Sequence, residues 1–288
     1  MTKKRKIIIT ADDFGLSPGV NRSIVSLYRS GCISRTSLLP NCNYTDDAIN
    51  VFKNDVPSMA IGIHFSLTCG RCCASPEDIS LIASRDGCLK LNFLNIIFYL
   101  LNPFTRKKFL IQVENELNAQ IMTIEKLGIK ISHIDGHRHV HTIPGIFKVV
   151  QKIAAQHDIS DIRLINESIF FIFIYVRPKS NIIPALIKFF VLRLFYFING
   201  ARTDRYFFSI MHSCKISPEV MLKFFLNKNK INSNRDSIEI MLHPGNPDID
   251  KKYFNTLHKE EINQLLSFYR IDESLSAYEL KRMGQLEV

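Results

Sequence analysis

Short apolar runs alternate along this chain with stretches whose apolar residues recur every three or four positions. The runs read as buried strands and the stretches as amphipathic helices. Lys6–Ala11 is the first strand. Ser17-Pro18 then supplies an N-cap and a first-turn proline. Val20, Ile24, Leu27 and Tyr28 follow at helical spacing, and Gly31 stops the helix. Ser37–Leu39 predicts a short strand, Thr45-Asp46-Asp47 the opening of a helix, and Met59–Leu67 another strand. A long helix is expected over about Arg106–Leu127, ending at Gly128. Ile131–His137 reads as a strand, and Pro144 starts a helix carrying Ile146, Val149, Val150 and Ile153. Asp161–Ile165 and Ile238–Leu242 are the last strands, with helices expected near His258–Tyr269 and Glu273–Met283.

Strands separated by helices imply βαβ units and a mainly parallel α/β sheet, either a barrel or an open doubly wound sheet. No Gly/Ser/Pro linker interrupts the pattern, so residues 1–288 read as a single domain with an apolar, phenylalanine-rich insertion at about 166–232. Its greasiest part, Ile169–Ile198, holds seven phenylalanines: Phe170, Phe171, Phe173, Phe189, Phe190, Phe195 and Phe197. A transmembrane helix needs about 20 apolar residues with few or no charges. Arg177, Pro178, Lys179, Ser180 and Asn181 split this stretch, and Lys188 and Arg193 interrupt its second half. Two readings stay open. One is a core segment with an amphipathic helix over an apolar site. The other is a basic, aromatic helix lying on a membrane surface.

Composition narrows the class. At 46% hydrophobic residues the chain is not a disordered one. A net charge of +10 raises the question of nucleic acid. The basic runs at 3–6, 105–108 and 223–230 are short and scattered, so no nucleic-acid partner is expected. Seven cysteines, an odd count, fit free thiols in a reducing compartment. The basic start is followed only by Ile7–Ala11, too short for a signal-peptide core. The expectation is a cytoplasmic protein, with peripheral contact at the inner membrane surface and a homo-oligomer left open. Cys69-x-x-Cys72 is weighed as a zinc or redox pair, but no second pair accompanies it.

In such folds chemistry sits at the C-terminal ends of the strands. Four of these ends carry unusual residues. Asp12-Asp13 follows a buried strand, where two carboxylates are costly unless something positive holds them. His64 ends another strand. Between 133 and 141, His133, Asp135, His137, His139 and His141 alternate, which would put them on one strand face. His243 follows the last strand beside Pro244-Gly245. Imidazole with carboxylate is a divalent-metal ligand set. Asp13, His64 and His137 make a three-ligand candidate, with Asp12 beside the ion and His243 approaching from elsewhere. Asp135, His139 and His141 are supporting candidates, the last two standing either as outer partners of the ion or simply as the loop into the Pro144 helix. The constellation suits metal-assisted hydrolysis, in which a carboxylate takes a proton and an imidazole donates one.

At these residues the chain resembles the YdjC-like carbohydrate deacetylases, the family of chitooligosaccharide deacetylase and the hopanoid-associated deacetylase-like proteins. The matching pieces are Ala11–Ser17 with Gly19-Val20-Asn21, Gly62–Phe65 with Leu67-Thr68, and His133–His137 through His139 and His141 to Pro144. They continue with Arg163 and Glu167, then Met241–Gly245. The resemblance implies a distorted (β/α) barrel of the NodB-like polysaccharide deacetylase type, acting as a carbohydrate N-deacetylase on an N-acetylated sugar. It implies one divalent metal, Mg2+ by family habit, on Asp13, His64 and His137. Zn2+, Mn2+ or Co2+ suit two imidazoles better. Asp12 matches the general base, His243 the general acid, and Arg163 a residue that positions or polarises them. Two further expectations compete: action on a lipid-linked amino sugar at a membrane surface, and a non-catalytic metal- or sugar-binding paralogue. The Cys69–Cys73 cluster and the phenylalanine-rich 169–198 stretch depart from the family pattern, both where substrate recognition is expected.

Overall fold

A computed structural model describes residues 5–176, 182–231, 236–251 and 269–282. Six strands form one sheet: β1 (Lys6–Phe14), β2 (Arg35–Leu38), β3 (Ala60–Phe65), β4 (Ile131–Gly136), β5 (Arg205–Phe208) and β6 (Ser237–Leu242). Their order is β4-β3-β2-β1-β6-β5, and every neighbouring pair is parallel. Parallel strands have both faces covered, so they read as continuous apolar runs rather than alternating ones. Seven of the nine residues of β1 are accordingly buried.

The helices α1 (Pro18–Arg29), α2 (Thr45–Asp55), α3 (Phe93–Leu101), α4 (Pro103–Glu125) and α5 (Ile146–Gln156) surround the sheet. Ser17 caps α1 as its sequence position predicts, accepting from Val20 N at 3.2 Å. The later helices are α6 (Ile169–Phe171), which runs on as a π-helical turn through Val176, α7 (Ile182–Asn199), α8 (Pro218–Asn227), α9 (Pro247–Asp250) and α10 (Tyr269–Arg282). The helix expected near 258–269 lies almost wholly outside the described residues.

The sheet curls toward a barrel and is completed partly by side chains. The expected strand 161–165 is reduced to one parallel bridge, Ile134 with Ile162. Ile134 N donates to Asp161 O at 2.9 Å, and Arg163 N to Ile134 O at 3.0 Å. Asn166 then spans to β5 in place of a ladder. Its Nδ2 donates to Arg205 O at 2.8 Å, and Phe207 N donates to its Oδ1 at 2.9 Å. The stretch 166–232, expected to be an insertion, thus contributes β5 to the sheet and α8 beside it.

Because all strands are parallel, their C-terminal ends share one rim. Asp12-Asp13, His64, Gly136 and His243 therefore meet at the same end of the fold. At β1 the register with β2 shifts between Ala11 and Phe14. Asp13 takes a left-handed φ of 70° there. Aspartate tolerates that region better than most residues, but the conformation still needs support from its surroundings.

Candidate active site

The shift at the end of β1 sends Asp12 and Asp13 in different directions. Asp12 is buried against Arg163, whose Nη1 and Nη2 donate to Oδ2 and Oδ1 at 2.7 and 2.8 Å. The same guanidinium reaches Glu239 through Nε at 2.8 Å and Asp135 Oδ2 at 2.7 Å. One buried cation thus holds three buried carboxylates. Burial alone would raise the Asp12 pKa. Arg163 outweighs it and holds the carboxyl below its usual range. The same balance sends Glu239 well below, and the Arg163 pKa well above, their ordinary values.

Asp13 faces two histidines. His137 Nδ1 lies 3.1 Å and His64 Nε2 3.4 Å from Asp13 Oδ1. Ligand atoms of Asp13, His64 and His137 all fall within 4.8 Å of one another, so this group could hold a metal ion. His64 pairs its other nitrogen, Nδ1, with Asp135 Oδ1 at 2.7 Å. Burial opposes charge on both rings. Asp135 and Asp12 nevertheless raise His64 to about 10. Contacts with Cys69 and Asp13 raise His137 to about 9. The pocket is therefore electronegative and favours a positive charge. The ligand atoms of a second group, Asp12, His64 and Asp135, also lie within 4.8 Å of one another. Its two carboxylates are already engaged by Arg163, which makes the Asp13 group the better cation site.

The five alternating groups between 133 and 141 do not share one strand face. β4 stops at Gly136, and His137–Thr142 forms a 3-10 turn in which Arg138 and His139 take φ of 52° and 60°. His133 stays on the strand beneath Gly62, where an added Cβ would meet its ring at 2.4 Å. His139 is buried, and burial drives it well below the usual imidazole range. His141 Nε2 donates to Arg163 O at 3.1 Å, and burial pushes its pKa down to about 3. Both histidines lie in the turn, where His141 holds the Arg163 backbone and the His139 carbonyl accepts from Thr142 Oγ1 at 2.8 Å. They are not in the candidate metal groups.

His243 enters from the end of β6. Its Nδ1 lies 3.7 Å from Cys214 Sγ and 3.5 Å from Glu273 Oε2, and its backbone N–H donates to the same carboxylate. Burial opposes a charged ring here, yet Cys214 and Glu273 together raise its pKa well above the ordinary value. Its charge is felt at Asp12.

Around these residues lie further groups to which the sequence pattern assigns no part in this site. Glu239 and Arg35 bind one another at 3.1 Å behind the site. A charged residue inside the apolar run 238–242 was the available signal, since a buried charge needs a partner. Cys69 lies against His137, with hydrogen bonds to Cys42, to His137 and to Ser66, whose Oγ is 3.3 Å away. The bond from Cys42 leads in drawing its thiol pKa well down, against burial. Among the described residues no cysteine belongs to a candidate metal group, and burial raises Cys72 and Cys73. Lys188, on α7, donates to Ser213 Oγ at 3.2 Å. Its charge is felt at His139.

Residues 6–276 match the family model described as YdjC-like protein. A carbohydrate deacetylase of Brevibacillus brevis is 34% identical over 154 residues, 53% of this chain. The chain thus spans 56% of that relative's length. A carbohydrate deacetylase of Clostridium beijerinckii is 27% identical over 242 residues, 83% of this chain and 81% of the relative. A crystal structure from Enterococcus faecalis V583, described as a cellobiose-phosphate cleavage protein, superimposes with a TM-score of 0.67 at 22% identity. That match covers 99% of this chain and 97% of the other, and it agrees with the curled parallel sheet.

Proposed function

The chain belongs to the YdjC-like family, and from that premise we propose that it is a hydrolase that removes the acetyl group of an N-acetylated amino sugar. The observation that carries the reading is the pairing of two unlike carboxylates at one strand end. Asp12 is held ionised by Arg163, while Asp13 faces two imidazoles. The relatives' description as carbohydrate deacetylases points to the same amide bond.

The donor set fits a divalent ion. One carboxylate oxygen and two imidazole nitrogens are gathered in an electronegative pocket, and the His64 ring is oriented by Asp135, as ligating histidines usually are. Zinc, manganese or cobalt suit this mixed set better than magnesium. Such an ion, when bound, polarises the acetyl carbonyl and makes a neighbouring water more acidic.

The chain's own groups do the rest. Asp12 accepts the proton of the attacking water. Arg163 fixes the direction of that carboxylate through two hydrogen bonds, and Glu239 and Asp135 hold Arg163 in turn. His243, kept protonated by its neighbours, donates to the departing amine nitrogen as acetate leaves.

The test is acetate release from a panel of N-acetylated oligosaccharides and lipid-linked sugars, after chelation and with metals returned one at a time. Acetate and free amine should appear in equal amounts only when a metal is restored. Metal binding at Asp13, His64 and His137 without acetate from any member would favour the non-catalytic paralogue.

A further inference from the structure

Helix α7 has two faces. Its inner residues Phe189, Leu192 and Phe195 are buried in the core. Ile183, Ile187, Phe190, Leu194 and Phe197 lie outside, 55–64% exposed, at spacings of four, three, four and three. That spacing is one continuous stripe along the helix. The stripe does not stand alone. Phe93 of α3 stacks on Phe195 at 6.3 Å. From that joint α3 and the start of α4 expose Leu94, Phe98, Leu101 and Phe104, at 76%, 61%, 78% and 93%. A soluble protein does not normally leave so many large apolar groups on adjoining elements without a partner.

The segments that carry this face bring charges of one sign. No Asp or Glu occurs between 93 and 112 or between 168 and 203. Exposed Arg106, Lys107 and Lys108 follow Phe104 directly. Arg193 lies over the rings of Tyr196 and Phe197 at 5.4 and 4.8 Å. Apolar side chains rimmed by cations match an anionic lipid surface. A second copy of the chain is a poorer occupant, since a two-fold contact would bring two basic rims together.

The helix has the length and hydropathy of a membrane span, yet it is anchored in the fold. Lys188 reaches Ser213, and Asn199 Nδ2 donates to Thr142 O at 2.8 Å, at the end of the histidine turn. A helix held this way can lie on a bilayer but cannot cross it without giving up those contacts. The Asn199 contact ties α7 itself to the histidine turn at the catalytic rim.

We propose that the outer face of α3 and α7, with Arg106, Lys107 and Lys108, docks this protein on an anionic membrane surface and presents its site to an N-acetylated sugar carried on a lipid. The choice of substrate rests on the deacetylase reading; the docking itself does not.

The experiment is flotation of the full-length protein with phosphatidylcholine vesicles, with and without phosphatidylglycerol. The protein should float with the anionic vesicles, less at high salt, and hardly at all with neutral ones. Two variants divide the face: Phe98→Ser with Leu101→Ser, and Ile187→Ser with Phe190→Ser. Each should lower binding by on the order of tenfold, with unfolding curves close to wild type. Lys107→Glu with Lys108→Glu should act on the anionic vesicles alone. Failure of the wild type to float, or flotation unchanged in all three variants, overturns the proposal. So does a wild-type dimer that the same changes dissolve while vesicle binding is absent. Flotation without acetate release from any lipid-borne or soluble sugar would instead sink the deacetylase reading and leave the docking face standing.

Discussion

Asp135 Oδ1 lies 2.7 Å from His64 Nδ1, and that contact turns the opposite ring nitrogen, Nε2, toward Asp13 at 3.4 Å. The carboxylate therefore sets which His64 nitrogen is free to bind an ion, while its second oxygen pairs with Arg163 at 2.7 Å. One residue joins the candidate metal group to the group that orients Asp12.

Replacing Asp135 by Asn should consequently weaken divalent-ion binding without removing a ligand. Outer partners of metal-bound histidines are worth roughly 10–100-fold in affinity. Titration calorimetry with Zn2+ or Mn2+ on wild type and Asp135→Asn checks this. Equal affinities would mean that His64 does not bind through Nε2.

Arg163 is fully buried and faces Asp12, Asp135 and Glu239. Arg163→Met leaves those carboxylates in the interior without their shared cation. Removing one partner from a buried ion cluster costs about 3–5 kcal/mol. Urea unfolding should show a loss of that order, together with loss of turnover. A variant as stable as wild type would contradict the ion network described above.

Much of this site was legible because charge at the end of a buried strand demands an explanation. Asp12-Asp13 after Ile7–Thr10, and His64 after Ile61–Ile63, stood out on that ground alone. The alternating histidines misled. Period-two spacing looks the same on a strand and on a turn in which Arg138 and His139 have left-handed backbone, so the alternation suggests one face for five groups, while only the loop alternative for His139 and His141 agrees with a strand that ends at Gly136. Arg163 is visible only through family resemblance, because its partners come from strands 28 to 151 residues away in the chain and no local pattern links them. β5 went unrecognised inside an aromatic-rich stretch where strand and helix signals overlap. α3 is so uniformly apolar, Phe93–Leu101, that it shows little polar face at all.

Glu167 offers a pH signature. Burial leads in raising its carboxyl to about 7, against hydrogen bonds from Ser209 N at 2.7 Å and Met211 N at 2.9 Å. A carboxyl whose folded pKa exceeds its unfolded value binds more protons when folded. Its contribution to stability is full below the unfolded value of 4.5 and is lost as pH rises through 7. The slope from this group is at most about 1.4 kcal/mol per pH unit. Glu167→Gln should flatten stability against pH between these limits, read by urea midpoints across the range. An unchanged slope would show that Glu167 does not titrate there.

The central claim is that Asp12 takes the proton while Asp13, His64 and His137 hold the ion. Acetate release by metal-loaded Asp12→Asn, measured beside its metal affinity, tests both halves at once. The account predicts turnover lower by roughly 10²–10⁴-fold with metal affinity close to that of wild type. Wild-type turnover in Asp12→Asn would contradict it.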